Sequence, residues 1–183
     1  MPKVSEEHLE RRRQQILDAA RECFTKQGFH NTSMQDIFKA SGLSAGAVYR
    51  YFPSKHQLVK AIAEGTLETV LARISLPGDP SRDIAGIVAE VGGILATDKT
   101  LSRTRPIVVQ AWAEAARDPE MAVIARELLT RLTERIGELL PPGSPPEVAR
   151  LLVAALQGLL VQSQLFDDVT PEMITTAARA AFR

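Results

Sequence analysis

The 183-residue chain contains few of the residues that build disulfides, metal sites and redox sites: one cysteine and three histidines. Cys23 cannot form an internal disulfide. Its helical register with Ile16 and Phe24 indicates a small buried side chain rather than a reactive thiol. The histidines all lie in the N-terminal third without metal-ligand spacing. We therefore expect no metal and no cofactor.

Long apolar runs are absent as well. No window approaches the roughly 20 apolar residues of a membrane span, and the N-terminus lacks the apolar stretch and cleavage site of a secretory signal. We expect a cytoplasmic protein that does not enter a membrane. With 45% hydrophobic and 24% charged residues, the chain has enough apolar surface for a packed core.

Signals for catalysis are also missing. No lysine of a phosphate-binding loop follows Gly92 and Gly93. Asp167 and Asp168 are adjacent at a predicted helix end, so their carboxylates face apart. We predict no catalytic residues and no enzyme activity.

The chain does show helical periodicity throughout, and no run alternates with a period of two. These patterns predict an all-α fold of about nine helices. The first runs from an N-cap at Ser5 to Gly28, and the second has Thr32 as N-cap with Gln35 as its capping-box partner. The later helices are predicted over roughly 81–97, 103–117, 119–140, 146–167 and 171–182.

Capping residues also delimit the third and fourth helices. Ser44 caps a short helix that ends before Pro53, and Ser54 caps a longer one. The proline and glycine residues of "LPGDPS" then predict a boundary. The resulting division is a helix-turn-helix domain over 1–56 and a helical domain over 57–183, linked by the fourth helix at about 55–75.

Two short helices joined by a glycine-containing turn, after a longer bracing helix, form the helix-turn-helix arrangement. Residues 1–55 hold nine Lys/Arg against six Asp/Glu, an excess of three positive charges that suits a polyanion. Spacing predicts that Val48 and Phe52 pack, with Ile37, Ala40 and Leu43, against the first helix. The alternative is an ordinary helical hairpin with half-buried tyrosines.

The opposite face of the third helix has residue types that fit DNA. Ala45 and Gly46 permit close approach of the backbone. The hydroxyls of Tyr49 and Tyr51 can donate to phosphate, and Arg50 can pair with phosphate or guanine. Three further polar residues stand at other helix starts: Lys55, Thr32 and Ser33.

The segment from Ile16 to Ile62, "ILDAARECFTKQGFHNTSMQDIFKASGLSAGAVYRYFPSKHQLVKAI", resembles the N-terminal domain of the TetR/AcrR family of bacterial transcriptional regulators. The resemblance implies a homodimer on a palindromic double-stranded DNA operator and a C-terminal domain that binds a small-molecule effector. Ala45, Gly46 and Ala47 cannot make side-chain hydrogen bonds to bases, so the operator sequence is not readable here. The DNA contacts that the family pattern implies are Thr32, Ser33, Ser44, Ala45, Gly46, Tyr49, Arg50, Tyr51 and Lys55.

The segment "RPIVVQAWAEAARDPEMAVIARELLTRLTERIGELL" is similar to effector domains of one TetR subgroup. We predict that Trp112, Gln110, Met121 and Phe166 bind the effector, with an ordinary apolar core as the alternative. Apolar stripes near the C-terminus predict a dimer interface, again with each chain's own core as the alternative. The predicted interface residues are Leu152, Ala155, Leu156, Leu159, Ile174 and Ala178.

The sequence therefore predicts a ligand-responsive DNA-binding regulator. We expect a repressor that a small, largely apolar effector releases, through a shift of the fourth helix that alters the spacing of the recognition helices. One alternative is a ligand-independent activator or architectural DNA-binding protein. Another is a small-molecule-binding or enzymatic helical protein with a vestigial hairpin.

Overall fold

A computed structural model describes residues 6–74 and 83–182 of the chain. Within those ranges it consists of nine α-helices and contains no strand, which confirms the predicted fold class. The predicted N-cap Ser5 and the predicted boundary at "LPGDPS" lie outside the described residues. The helices are α1 (Glu6–Asn31), α2 (Met34–Ser41), α3 (Ala45–Tyr51), α4 (Lys55–Leu71), α5 (Ile84–Thr97), α6 (Lys99–Ala115), α7 (Pro119–Leu139), α8 (Pro146–Gln162) and α9 (Pro171–Ala181).

The first helix breaks where the sequence predicts its end. Gly28 has φ 78° and ψ 165°, a conformation that residues with a side chain rarely adopt, and one further turn continues to Asn31. The hydroxyl of Thr32 donates to the Gly28 carbonyl oxygen at 2.7 Å and so belongs to this ending. The sequence assigned Thr32 to the start of α2, and that assignment is wrong.

The N-cap of α2 is Ser33. Its hydroxyl accepts from the Asp36 amide at 3.2 Å, and the Asp36 carboxylate accepts from the Ser33 amide at 2.9 Å. This is a capping box one residue later than the predicted pair of Thr32 and Gln35. The helix ends at Gly42, whose φ of 67° allows the turn into α3.

The caps of the next two helices agree with the sequence. The Ala47 amide donates to the Ser44 hydroxyl, and the Gln57 amide donates to the Ser54 hydroxyl, both at 3.3 Å. In contrast, α6 begins four residues earlier than the predicted residue 103, because the Asp98 carboxylate accepts from the Leu101 amide at 2.8 Å and caps it. Helix α8 ends at Gln162, five residues before the predicted 167.

Two apolar clusters hold the helices together. In the first, Ile37 and Val48 are fully buried with α1, as predicted, although Ala40 is exposed. This cluster continues through α4 to Ile107 and Met121, so the core of the N-terminal helices is continuous with α6 and α7. The second cluster fills the far end of the molecule between α5, α7, α8, α9 and the end of α4.

Candidate nucleic-acid interface and ligand cavity

The outer face of α3 presents small residues at its start and polar residues one turn later. Val48 is fully buried and anchors the helix, while Ala45 and Gly46 are exposed. A Cβ added at Gly46 would meet no atom of the chain within 4 Å. Glycine destabilises a helix by roughly 0.5–1 kcal/mol relative to alanine. No contact among the described residues therefore requires a glycine at position 46.

The aromatic and basic side chains of α3 are held beside these small residues. The ring of Tyr49 is 48% exposed and packs edge-on against Phe38, with 5.2 Å between ring centroids. Arg50 is exposed, and Tyr51 is half-buried against the core. Phe38 orients the ring of Tyr49 while the residue stays about half exposed, an arrangement that suits donation of a phenolic hydroxyl to an external acceptor.

The structure places Thr32 away from this surface. Its side chain is 1% exposed and its hydroxyl is already bonded to Gly28, so it offers no polar atom to a phosphate. Ser33 and Ser44 are exposed at the starts of α2 and α3. The hydroxyl and the amide of Ser33 both donate to the Asp36 carboxylate, at 2.6 and 2.9 Å, and the Ser44 hydroxyl accepts from the Ala47 amide at 3.3 Å. The exposed residues of the predicted DNA-contacting surface are therefore these two serines and the residues on the outer face of α3.

Lys55 is engaged within the chain. Its ammonium donates to the carbonyl oxygens of Phe29 at 2.7 Å and Thr32 at 3.0 Å, and lies 4.1 Å from the centroid of the Phe29 ring. Burial lowers its pKa, which the charge of Glu114 partly offsets. Lys55 thus fixes the start of α4 against the end of α1, a role that differs from the predicted phosphate contact.

Further contacts beside Lys55 join the N-terminal helices to α6 and α7. The Phe29 amide donates to Gln110 Oε1 at 2.9 Å, and His56 Nε2 lies 2.8 Å from the Asp118 carboxylate that caps α7. These residues are 62 or more positions apart in sequence. No local sequence pattern marks such pairs, so this junction could not be predicted from the sequence. Gln110, predicted for the effector site, belongs to it.

A cavity of about 130 Å³ lies between α4, α5, α6, α7 and α8. Its lining is apolar apart from Thr66, Gln157 and the indole of Trp112, and it has no charged side chain. Trp112 and Met121 line it as predicted for an effector site, whereas Gln110 does not and Phe166 lies 58% exposed. Helix α4 contributes five lining residues: Val59, Ala63, Thr66, Leu67 and Val70.

Comparison with known families agrees with this arrangement. The family model of bacterial regulatory proteins of the tetR family matches residues 16–62, and the model of the BetI-type transcriptional repressor C-terminal domain matches residues 85–183. The chain belongs to the TetR family of transcriptional regulators. This confirms the family that the sequence resembles, and TetR-family proteins are DNA-binding regulators rather than enzymes.

Individual TetR-family relatives cover nearly the whole chain. The HTH-type transcriptional repressor Rv1474c of Mycobacterium tuberculosis is 33% identical, over 92% of this chain and 90% of its own. Salmonella enterica GusR superposes with a TM-score of 0.76 at 28% identity, over 99% of both chains. The multidrug binding protein EbrR, solved with imidazole, superposes with a TM-score of 0.73 at 25% identity, over 100% of this chain and 94% of its own.

Two absences hold for the part of this TetR-family chain that the structure describes. No helix there has the length and apolar character needed to cross a membrane. Over the same residues, no group of three or more His, Cys, Asp or Glu side chains is placed to hold a metal ion.

Most of the predicted dimer residues lie in the core of this chain. Ala155 is exposed and Leu159 is half-buried. The other four are at most 3% exposed and pack in the second apolar cluster: Leu152, Leu156, Ile174 and Ala178. These four side chains are already buried within one chain, so a second copy has little of their surface left to contact. Their place in a dimer interface stays a prediction, and their burial argues against it.

Proposed function

We propose that this TetR-family regulator is a repressor that binds a palindromic operator as a homodimer and is released by a small, largely apolar effector. The observation that carries the proposal is the course of α4. At its start, Lys55 and His56 join α4 to the end of α1 and to α7, and further along the helix its side chains line the apolar cavity. One rigid element therefore contacts both the DNA-binding helices and the cavity.

The chemistry of the cavity sets the effector class. Its uncharged lining favours an apolar body with few hydrogen-bonding groups. Its volume of about 130 Å³ is below the roughly 300–1,000 Å³ of sites for drug-sized ligands, so a small effector fits this conformation. The neighbour EbrR was solved with the small molecule imidazole, which supports a ligand-binding role for this domain.

We propose the exposed faces of α8 and α9 as the dimer interface. Leu151 on α8 is 62% exposed, Met173 on α9 is 36% exposed, and Leu165, in the turn that follows α8, is 70% exposed; large apolar side chains grouped at the surface in this way mark interaction sites. Gly158 lies on the same helix as Leu151, and an added Cβ would meet nothing within 4 Å, so a second helix can approach closely. Leu151→Glu should yield monomers in light scattering, whereas Val123→Glu on α7, a control that is 55% exposed, should not.

We propose that the two predicted domains have separate functions. Residues 1–56 bind DNA, and residues 57–183 bind the effector and the second subunit, with α4 linking the two. DNA contacts are assigned to Ser33, Ser44, Ala45, Gly46, Tyr49, Arg50 and Tyr51, and the site of action is the cytoplasm, where the operator is. The cavity residues Trp112 and Met121 are assigned to the effector.

The test of DNA binding begins with selection of duplexes from a randomised pool, followed by fluorescence polarisation. We expect a palindromic consensus bound at least about 10³-fold more tightly than random DNA at the same salt concentration. Affinity should fall steeply as salt rises. Equal binding to selected and random duplexes would instead favour an architectural protein.

The test of effector release uses a thermal-shift screen against small hydrophobic compounds. A compound that raises the melting temperature should also lower operator affinity. Ala63→Leu fills the cavity from α4 and should abolish that response while DNA binding persists. Ala113→Leu, on the exposed side of α6, is the matched control and should respond normally. Stabilising compounds that leave operator affinity unchanged would refute the release mechanism.

A further inference from the structure

An arginine lies one helical turn beyond the cavity lining. Arg105 precedes Val108 and Trp112 by three and seven positions on α6, and both of those side chains line the cavity. Residues at this spacing share one face of a helix. Arg105 therefore stands on the cavity-facing stripe of α6, at the end of the cavity where α6 begins.

The groups that Arg105 contacts also lie at that end. Its guanidinium donates to the Ala96 carbonyl oxygen at 3.3 Å and to the Ser163 hydroxyl at 3.4 Å. Ala96 follows the lining residue Leu95, and Ser163 follows the lining residue Leu160 by three positions. The ends of α5 and α8 and the beginning of α6 thus converge on one guanidinium beside an uncharged cavity.

The charge of Arg105 is poorly compensated. A guanidinium has five N–H donors. Among the described residues, Arg105 makes two long bonds to neutral oxygens, and its buried Nε has no hydrogen-bond partner there. Asp98 acts on it only from a distance, since no carboxylate of the described residues lies within 4 Å, and Asp98 pairs with Arg73. Burial lowers the pKa of Arg105.

A partly buried cation that no carboxylate contacts is costly, and an unsatisfied buried donor adds to that cost. The carbonyl groups at the end of α5 offset part of the cost through their partial negative charge. These carbonyl groups do not use all the N–H donors of the guanidinium. Because the guanidinium is planar, two of its N–H groups can form parallel hydrogen bonds with one carboxylate.

We infer that Arg105 is the anion-recognising residue of the cavity and that the effector is a small apolar carboxylate, its body in the cavity and its carboxylate on the guanidinium. The inference rests on the proposed effector function and narrows its ligand class. The uncharged lining rejects a second charge, because no other charged side chain there would meet it.

The experiment compares matched acids and amides of one shape by titration calorimetry: benzoate with benzamide, and hydrocinnamate with hydrocinnamamide. A charge-assisted hydrogen bond contributes about 1.5–3 kcal/mol, so the intact protein should prefer the acid by about 10- to 150-fold. Arg105→Met should remove that preference and leave amide affinity unchanged. Arg103→Met, exposed on the same helix, should keep it.

The outcomes separate this inference from the proposed function. Amides that bind as tightly as acids, or a preference that survives in Arg105→Met, would overturn the carboxylate assignment and leave an apolar effector site. A purely structural role for Arg105 would lower the melting temperature of Arg105→Met without changing the ratio. Should Arg105→Met fail to fold, Arg105→Gln replaces it. If neither acids, amides nor any neutral compound of the thermal-shift screen bind, the inference and the effector role fail together, while operator binding is judged separately.

Discussion

Gly46 offers a substitution with opposite effects on folding and on DNA binding. In the free protein an alanine at this position meets no atom within 4 Å, and Gly46 has no positive φ. Gly46→Ala therefore adds a methyl group without strain and reduces the freedom of the unfolded chain. On DNA, the same methyl group would occupy the space that we assign to the operator.

The two magnitudes follow from this geometry. Glycine to alanine at a compatible site stabilises a protein by about 0.4–1 kcal/mol, which for a chain of this size raises the melting temperature by roughly 1–4 °C. An added methyl group in a tight contact costs about 1–3 kcal/mol, or roughly 5- to 150-fold in affinity. A dimer carries the substitution twice, so the loss on a palindromic operator is larger still.

Calorimetric melting and fluorescence polarisation with the selected operator measure the two effects. Gly93→Ala is the matched control, because an added Cβ there also meets nothing within 4 Å and α5 is outside the DNA-binding helices. It should raise the melting temperature and leave operator affinity unchanged. If Gly46→Ala keeps full operator affinity, no DNA backbone approaches α3 at this position and the reasoning fails.

Three other substitutions test separate parts of the structure. Gly92→Ala should destabilise the fold by about 1–3 kcal/mol in urea unfolding, because an added Cβ would lie 2.7 Å from Ile174; a cost near zero would mean that α5 and α9 separate easily. Tyr49→Phe should weaken operator binding and leave the melting temperature unchanged, and equal affinity would exclude the hydroxyl as a contact. The hydrogen bond from His56 lowers the pKa of Asp118, so this carboxylate stabilises the fold above the pKa of an unfolded aspartate, and the stability is lost as pH falls through the lowered value. Asp118→Asn should reduce the urea midpoint at pH 7 and converge with the parent protein in strong acid; a constant difference would contradict the pKa shift.

Most of the fold could be predicted from the sequence because capping residues and glycines mark where the helices begin and end. Ser44 and Ser54 cap where the sequence places them, and Gly28 breaks α1 where predicted. One error arises where two neighbouring residues are suited to the same role. Thr32 and Ser33 are both able to cap, and the bond of the Thr32 hydroxyl to the Gly28 carbonyl oxygen, which ends α1, decides between them.

The exposed residues of α3 were predictable because the spacing of apolar residues in an amphipathic helix indicates which face is buried, and Val48 marks that face. The role of Lys55 was not predictable. A lysine at the start of a helix suggests a phosphate contact, and its bonds to the carbonyl oxygens of Phe29 and Thr32 are visible only in the folded structure. The cavity residues were only partly predicted. Apolar residues that line a cavity and apolar residues that fill a core show the same helical spacing in the sequence.

The junction around Lys55 bears on how an effector could act. The start of α4 is bonded to the end of α1 through Lys55 and to the cap of α7 through His56. Lys60 on α4 also donates to Glu127 of α7 at 2.7 Å. While these contacts hold, we expect a displacement of α4 by a bound ligand to carry the N-terminal helices with it. In the proposed dimer, that movement would change the distance between the two α3 helices.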